Sequence, residues 1–453
     1  MVLVCVICGH VSFASGQTRT LRIVTYNVEA DINGVTAPRP GLIAPPSDTN
    51  NVQAGGVLEG IGEETVGKDP AQPLDILLLQ ETTSNPVTVS PIVNGLNAFY
   101  QSPGMYTFSH YQATESGGYT ASGNGPNALV YNTKTVQLIA AVPVDPPGGT
   151  ANLGSSSGEY REVMRYEFAP AGVTPAASNE FYIYVSHYKS GTTSADLTAR
   201  TGEAQIIRND ESTNLPADAR VLYTGDFNIT TSGEASYQTV LANAAPNGIQ
   251  QGQGVDPLNV TGATGINWGT YTTNTSILAM ETESATDLRY RDDLQVMTTN
   301  IYPGTPGGVQ YVPGTYHTFG NNGTTLYYGS VNSGSNTALS SDLASGSAIS
   351  ATQLYLDLAN ASDHLPMVAD YTIPIPAPLI TSLSTDGTNL VLNIVNNING
   401  GALTVLTSSD PTIPMRSWTA LTTNIANSGN VTITLSNIVN QSPPSQFFVL
   451  QEK

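Results

Sequence analysis

Residues 221–230 read VLYTGDFNIT. Val221, Leu222 and Tyr223 have the branched and aromatic character of a buried strand, yet an acid and an amide follow at once. Asp226 and Asn228 stand two apart, a spacing that on an extended chain sends both side chains to one face. A carboxylate beside a carboxamide where an apolar strand runs out has two readings. It is a polar turn, since Gly, Asp and Asn are ordinary turn formers, or it is the edge of a reaction site.

The pattern recurs on both sides of this stretch. Strand-like runs are LRIVTYNV (21–28), LDILLLQET (74–82), NALVYNT (127–133), EVMRYEF (162–168), EFYIYVSHY (180–188), ARVLYTGDF (219–227) and DLQVMTT (293–299). The unbroken apolar character of 74–79 suits a strand covered on both faces. At or near the ends of these runs stand Asn27, Glu81, His187 and Asp226, with Asp292 and Asp293 in YRDDLQV and Asp363 and His364 in ASDHLP. Residues 194–209 predict a helix with Ser194 as N-cap and Leu197, Ala204 and Ile207 on its apolar face. The Gly/Pro-rich stretch 38–67 predicts a long surface loop.

A chain of 453 residues with 40% hydrophobic content has room for a large α/β domain and a small appendage. In YTIPIPAPLI (371–380) three prolines predict a stiff linker. Beyond it, short Val/Ile/Leu/Thr runs broken by Asn, Gly and Ser predict a small all-β module at 376–453. The larger portion then spans 17–372. Residues 1–16, MVLVCVICGHVSFASG, are an apolar run ending in small residues, as in a secretory signal. Both cysteines, Cys5 and Cys8, fall inside it. The expectation is a secreted or periplasmic protein with no cysteine after cleavage and no transmembrane segment.

With 35 acids against 15 bases, the composition argues against nucleic-acid binding through a broad basic surface. It leaves room for a nuclease whose bound cations offset part of the charge. Carboxylate and amide oxygens suit a hard divalent ion, magnesium or manganese first and calcium as a further candidate. The scarcity of cysteine and histidine disfavours tetrahedral zinc. A histidine beside an acid, as at Asp363–His364, suits proton transfer near neutral pH. Singly, each motif has a plain structural explanation: a polar strand end, a turn, a helix cap or a satisfied core histidine. Together they form an ordered set.

That ordered set, TYNV, LLQE, SHYKSG, TGDFN, RDDLQVMT and SDHLP, resembles the endonuclease/exonuclease/phosphatase superfamily of deoxyribonuclease- and sphingomyelinase-like metal-dependent phosphoesterases. The resemblance covers about residues 21–372. It implies a four-layer α/β sandwich, with two mixed β-sheets flanked by helices and the active site at one sheet edge. It also implies that Glu81 binds the divalent ion, with Asn27 and Asp363 close by. Asp226 positions the attacking water and Asn228 hydrogen-bonds the scissile phosphate. His364 acts as base or phosphate contact and is oriented by Asp293, with Asp292 as the alternative. Glu162 supports His187, which contacts the phosphate, and Lys189 is expected to face solvent.

The expected substrate is a phosphodiester, in first place extracellular DNA or RNA, with no stable protein partner. A sphingomyelinase or phospholipase C-like enzyme, or a small-molecule phosphatase, is the alternative within the same chemistry. For a membrane-acting enzyme, Tyr327 and Tyr328 are the candidate apolar contact. A non-catalytic binding or surface protein keeping the fold is the alternative of another class.

Overall fold

In the computed structural model the described residues are 17–30, 39–44, 56–66, 71–111, 125–144, 161–259, 278–304, 307–324, 329–347, 349–376, 378–396, 401–410, 412–414, 417–426, 429–438 and 447–452. The signal-like segment 1–16 and the tyrosines Tyr327 and Tyr328 lie outside them. The chain divides into two compact units, one formed by Thr20–Phe168 with Glu180–Ile373, the other including Ala169–Asn179 and the chain from Pro374 onward.

The larger unit contains strands β1 (Gln17–Asn27), β2 (Ile76–Gln80), β3 (Tyr106–Phe108), β4 (Ala128–Asn132), β5 (Val136–Val144), β6 (Val163–Pro170) and β7 (Phe181–His187). It continues with β8 (Val221–Asp226), β9 (Gly254–Val255), β10 (Asp293–Thr298), β11 (Gln310–Tyr311), β12 (His317–Thr318) and β13 (Met367–Ile375). Its helices are α1 (Val57–Gly62), α2 (Ser90–Phe99), α3 (Ser194–Asn214), α4 (Ala235–Leu241), α5 (Ala338–Asp342) and α6 (Ala351–Ala361). One sheet has the order β11-β13-β1-β2-β4-β3, with β12 also on β13, and the other β5-β6-β7-β8-β10-β9. Both are mixed: β1–β2 and β7–β8 are parallel, while β2–β4 and β8–β10 are antiparallel.

Strand alternation explains how the sheets stack. Ile23, Ile76 and Leu78 from the first sheet share one buried cluster with Ile183, Val185, Leu222 and Met297 from the second. The intervening residues face outward: Val24, Tyr26, Leu77 and Leu79 pack with Leu96 of α2 and with Leu354 and Leu358 of α6. Val221, Tyr223 and Val296 pack with Ala204 and Ile207 of α3 and with Tyr237 and Val240 of α4. A period of two feeding three cores gives helix, sheet, sheet, helix. Gln295 ties the layers, its amide donating to Ile23 O at 3.0 Å and Met367 O at 2.9 Å.

Four local expectations change. Thr193, not Ser194, caps α3, because its Oγ1 accepts from Asp196 N while Asp196 reaches back to Thr193 N. Leu197 on that helix is exposed, unlike Ala204 and Ile207. The expected 38–67 loop contains α1, all of whose residues are buried and whose Glu59 accepts from Gly56 N and Ala44 N. The expected linker is strand up to Ile375; Pro374 lies past the Thr372–Gln310 pairing, where its missing N–H costs no bond to β11.

The smaller unit carries two antiparallel three-stranded sheets. One joins β14 (Leu379–Asp386), β15 (Asn389–Asn396) and β18 (Gly429–Leu435). The other joins β17 (Thr419–Ala426), β16 (Gly401–Ser408) and β19 (Phe447–Glu452). Leu390, Leu392, Ile394, Leu403, Val405, Ile433 and Leu435 form its core. No helix among the described residues is long and apolar enough to cross a membrane.

Candidate active site

The alternation that turns Ile23, Val185, Leu222 and Met297 inward also turns Asn27, His187, Asp226 and Asp293 inward. Pairing sets their level: Asn27 lies opposite Gln80, His187 opposite Asp226, and Asp226 opposite Asp293. The apolar core therefore ends in a buried polar cluster at one edge of the sandwich. Gly225 permits that registry. At φ +126 its Cα runs so close to β7 that a Cβ would stand 1.9 Å from Ser186 O.

Asn27 Nδ2 donates to Asp226 Oδ2 at 3.0 Å across the two sheets and lies 3.4 Å from His364 Nε2. His364 Nδ1 is 2.7 Å from Asp293 Oδ2, and its Nε2 is 3.8 Å from both Asp226 Oδ2 and Asp363 Oδ1. His187 Nε2 is 3.3 Å from Asp226 Oδ2 and 3.6 Å from Glu81 Oε1. Asn27, Glu81, His187, Asp226, Asp293, Asp363 and His364 thus meet in one place, from segments far apart in sequence. The orienting contact on His364 falls to Asp293; Asp292 instead hydrogen-bonds Glu283.

Three expectations are corrected by this geometry. Strand β8 stops at Asp226, and Asn228 is left-handed at φ +49, so the pair does not share a face of an extended chain. Asn228 N donates to Asp226 Oδ1 at 2.8 Å and its Nδ2 to Tyr188 O at 3.0 Å. Asn228 braces the Asp226 carboxylate by its backbone and reaches the site's border by its side chain. Glu162 does not hold His187: both imidazole nitrogens lack a hydrogen-bond partner, and Glu162 Oε1 accepts from Tyr111 Oη. Lys189 is partly buried and pairs with Asp196 at 3.3 Å.

Burial and neighbouring charge together set the site's titration. Burial pushes Glu81 up to about 8, with Asp226 and Asp363 adding to the rise while His364 and the Asn27 amide oppose it. Burial also pushes Asp226 up to about 6 against the charge of His364. Burial alone would lower His364, but the charge of Asp293 and its hydrogen bond carry it well above the ordinary imidazole value. Burial, with Arg161 and His364 nearby, holds His187 well below that value, so it is a neutral imidazole.

Sequence reasoning missed Glu29, Thr282 and Glu283. Glu29, left-handed at φ +46, donates its N–H to Asn27 Oδ1 at 3.1 Å, and its Oε2 accepts from Asp363 N at 2.9 Å. It also pairs with Arg39. The offset of two from Asn27 is the signal that could have found it. Thr282 Oγ1 accepts from Asp292 N and Asp293 N at 3.1 and 3.2 Å, while Thr282 O accepts from Leu365 N at 2.7 Å. Thr282 therefore fixes Asp293 and His364 relative to each other. Glu283 bridges His364 by backbone pairing and sits in an acidic stretch with no pattern to mark it.

A hard cation fits this donor set. Glu81, His187 and Asp226 each offer an atom within 4.8 Å of the others, and so do Glu283, Asp363 and His364. Buried Glu81 Oε2 and His187 Nε2 have no hydrogen-bond partner, so both are left for a ligand to satisfy.

No curated protein matches the chain. Similar solved structures include the human Nocturnin catalytic domain with bound sulfate, at 15% identity, 79% coverage of this chain and 97% of that one, and TM-score 0.43. A conserved protein of unknown function from Enterococcus faecalis V583 shows 16% identity, 78% and 99% coverage, and TM-score 0.41. The D. rerio TDP2 complex with a single-strand DNA product shows 13% identity, 78% and 98% coverage, and TM-score 0.40. The family model described as Endonuclease/Exonuclease/phosphatase family matches residues 24–280, more than half of the sequence, and the chain belongs to that family of phosphoesterases.

Proposed function

We propose that the chain is a divalent-metal-dependent phosphodiesterase, of the nuclease type, that cleaves a phosphoester by attack of an activated water. The observation that carries this reading is the Asp293–His364 dyad at 2.7 Å, whose Nε2 edge faces Asp226, itself held by Asn27 from the opposite sheet.

Asp226, ionising at about 6, accepts the proton of the attacking water. His364, kept cationic by Asp293, presents Nε2 to the charge developing on the phosphoryl oxygens or to the leaving oxygen. Asn27, Asn228 and neutral His187 complete the wall with uncharged donors, which hold an anion without trapping it. Glu81, with Asn27 and Asp363 beside it, would hold a magnesium or manganese ion. When bound, such an ion supplies Lewis-acid polarisation of a non-bridging phosphate oxygen.

The apolar run at residues 1–16 supports export as part of the same reading, and N-terminal sequencing of protein recovered from the medium would test it by starting after residue 16. The activity is tested by hydrolysis of bis-p-nitrophenyl phosphate with Mg2+ or Mn2+ and with EDTA. Turnover that EDTA abolishes supports the reading. No turnover with any divalent ion would instead favour a binding role for the fold.

A further inference from the structure

The chain carries 15 Lys and Arg in total, and their placement bears on what the site grips. The segments 31–38, 45–55, 112–124, 145–160, 260–277 and 325–328 contain no Lys or Arg, whereas Asp31, Asp48, Glu115, Asp145 and Glu159 lie in them. Of all the cations, Lys68, Arg416 and Lys453 are outside the described residues.

Several others serve the fold. Arg208 donates to the carbonyls of Thr239, Val240 and Ala242, and Arg291 is locked to Asp256. Arg165 pairs with Asp210 and Arg200 with Glu234. Arg22 is buried on Asp370 well before the Asn27 end of β1, and Arg220 precedes the first residue of β8. Lys134 follows β4 at the end remote from Ala128, which pairs with Leu79 beside the site.

The cations near the site end are Arg39, Arg161, Lys189 and Arg289, and each is engaged. Arg39 pairs with Glu29 and Arg289 with Asp287. Lys189 Nζ lies on Ser190 O at 2.8 Å and Asp196 Oδ1 at 3.3 Å. Arg161 Nη1 donates to His187 O at 3.4 Å and Tyr188 O at 3.0 Å. Against them stand Glu29, Glu81, Asp226, Glu283, Asp293 and Asp363. Duplex binding draws its affinity from Lys and Arg spread along successive phosphates. Here no such row exists among the described residues, and the uncharged wall of Asn27, Asn228 and His187 suits one phosphate.

Building on the phosphodiesterase reading, we propose that the substrate is a compact phosphodiester engaged through a single phosphate, as in a dinucleoside monophosphate. The same charge distribution among the described residues disfavours a duplex held along its backbone. A cation bound at Glu81 would offset the acids around the scissile phosphate alone, leaving flanking phosphates to face carboxylates.

The test uses the full chain with saturating Mn2+ on bis-p-nitrophenyl phosphate, a dinucleoside monophosphate and a 30-base-pair duplex, between 50 and 200 mM salt. Releasing about one counterion predicts at most about a fourfold loss of kcat/KM over that range, against about a thousandfold or more for a protein making many phosphate contacts. The expected result is that shallow dependence, with the dinucleotide cleaved at least as fast per phosphodiester bond as the duplex. A strong preference for the duplex with steep salt dependence overturns this inference and leaves the proposed chemistry standing. Failure to hydrolyse any of the substrates removes the phosphodiesterase reading and this inference together.

Discussion

Replacing Asp293 by Asn separates what the His364 dyad does from what the fold needs. The side chain keeps its shape, but the charge that chiefly raises His364 is gone, so the imidazole becomes neutral near pH 7. The effect reaches Asp226, whose value of about 6 is held down by the cation on His364 and, to a lesser degree, pushed up by the Asp293 charge itself. The two losses partly offset, and the His364 charge sets the ceiling. The two groups are 3.8 Å apart. At an effective dielectric of 20, a unit charge at that distance is worth about 4 kcal/mol. Since a pH unit corresponds to 1.36 kcal/mol, the acid limb of the rate profile should climb by roughly one to three units. Loss of an orienting carboxylate should also lower kcat by roughly a hundred- to ten-thousand-fold. The assay is bis-p-nitrophenyl phosphate hydrolysis from pH 4 to 10 at saturating metal, beside a denaturant melt, because a broken buried pair can cost about 3–5 kcal/mol. A folded variant with unchanged kcat and an unmoved acid limb would refute the reasoning.

Other perturbations probe the metal, the strand packing and a remote ion pair. Divalent metal at a hundredfold excess over its Kd should stabilise the wild type by about 2.7 kcal/mol, and Glu81→Gln should lose most of that thermal shift; an undiminished shift would move the metal off Glu81. Gly225→Ala should destabilise the fold by about 3 kcal/mol or more, since its Cβ would collide with Ser186 O and φ is +126; a soluble variant with wild-type melting would contradict the β7–β8 geometry. His317 Nε2 lies 3.0 Å from buried Glu64, and its Nδ1 lies 2.8 Å from Thr315 O. Burial opposes its charge, but Glu64, that backbone bond and Asp342 raise its folded value above the ordinary one. The pair's contribution is therefore complete below the ordinary imidazole value and lost as pH rises through the raised folded value. The Tm deficit of His317→Gln should be several degrees at pH 5.5 and shrink by pH 9, and a deficit that grows with pH would reverse the assignment.

Much of the site was legible because β-structure writes function at strand ends. Asn27, His187 and Asp226 follow apolar runs whose period fixes the face they share, whereas Glu81 reaches the site only because the chain turns left-handed at φ +56 just past β2. The sandwich itself was implied by the resemblance that the ordered motifs carry. What escaped was set by backbone turning and by long-range hydrogen bonds. Asn228 and Glu29 take left-handed conformations that no alternation rule foresees. Thr282 matters through its hydroxyl and carbonyl bonds to Asp293 and Leu365, contacts that a threonine in a loop does not announce. The α1 helix was hidden because its stability comes from burial and from Glu59 capping rather than from helical propensity.

The central claim is that Asp226 takes the proton of the attacking water while cationic His364 stabilises the developing charge or the leaving oxygen. It is tested most directly by single-turnover hydrolysis of bis-p-nitrophenyl phosphate by Asp226→Ala and His364→Ala, with Mn2+ present and folding confirmed by near-UV circular dichroism. Loss of nearly all phosphoesterase activity in both folded variants is the predicted result. Near-normal hydrolysis by either one would contradict it.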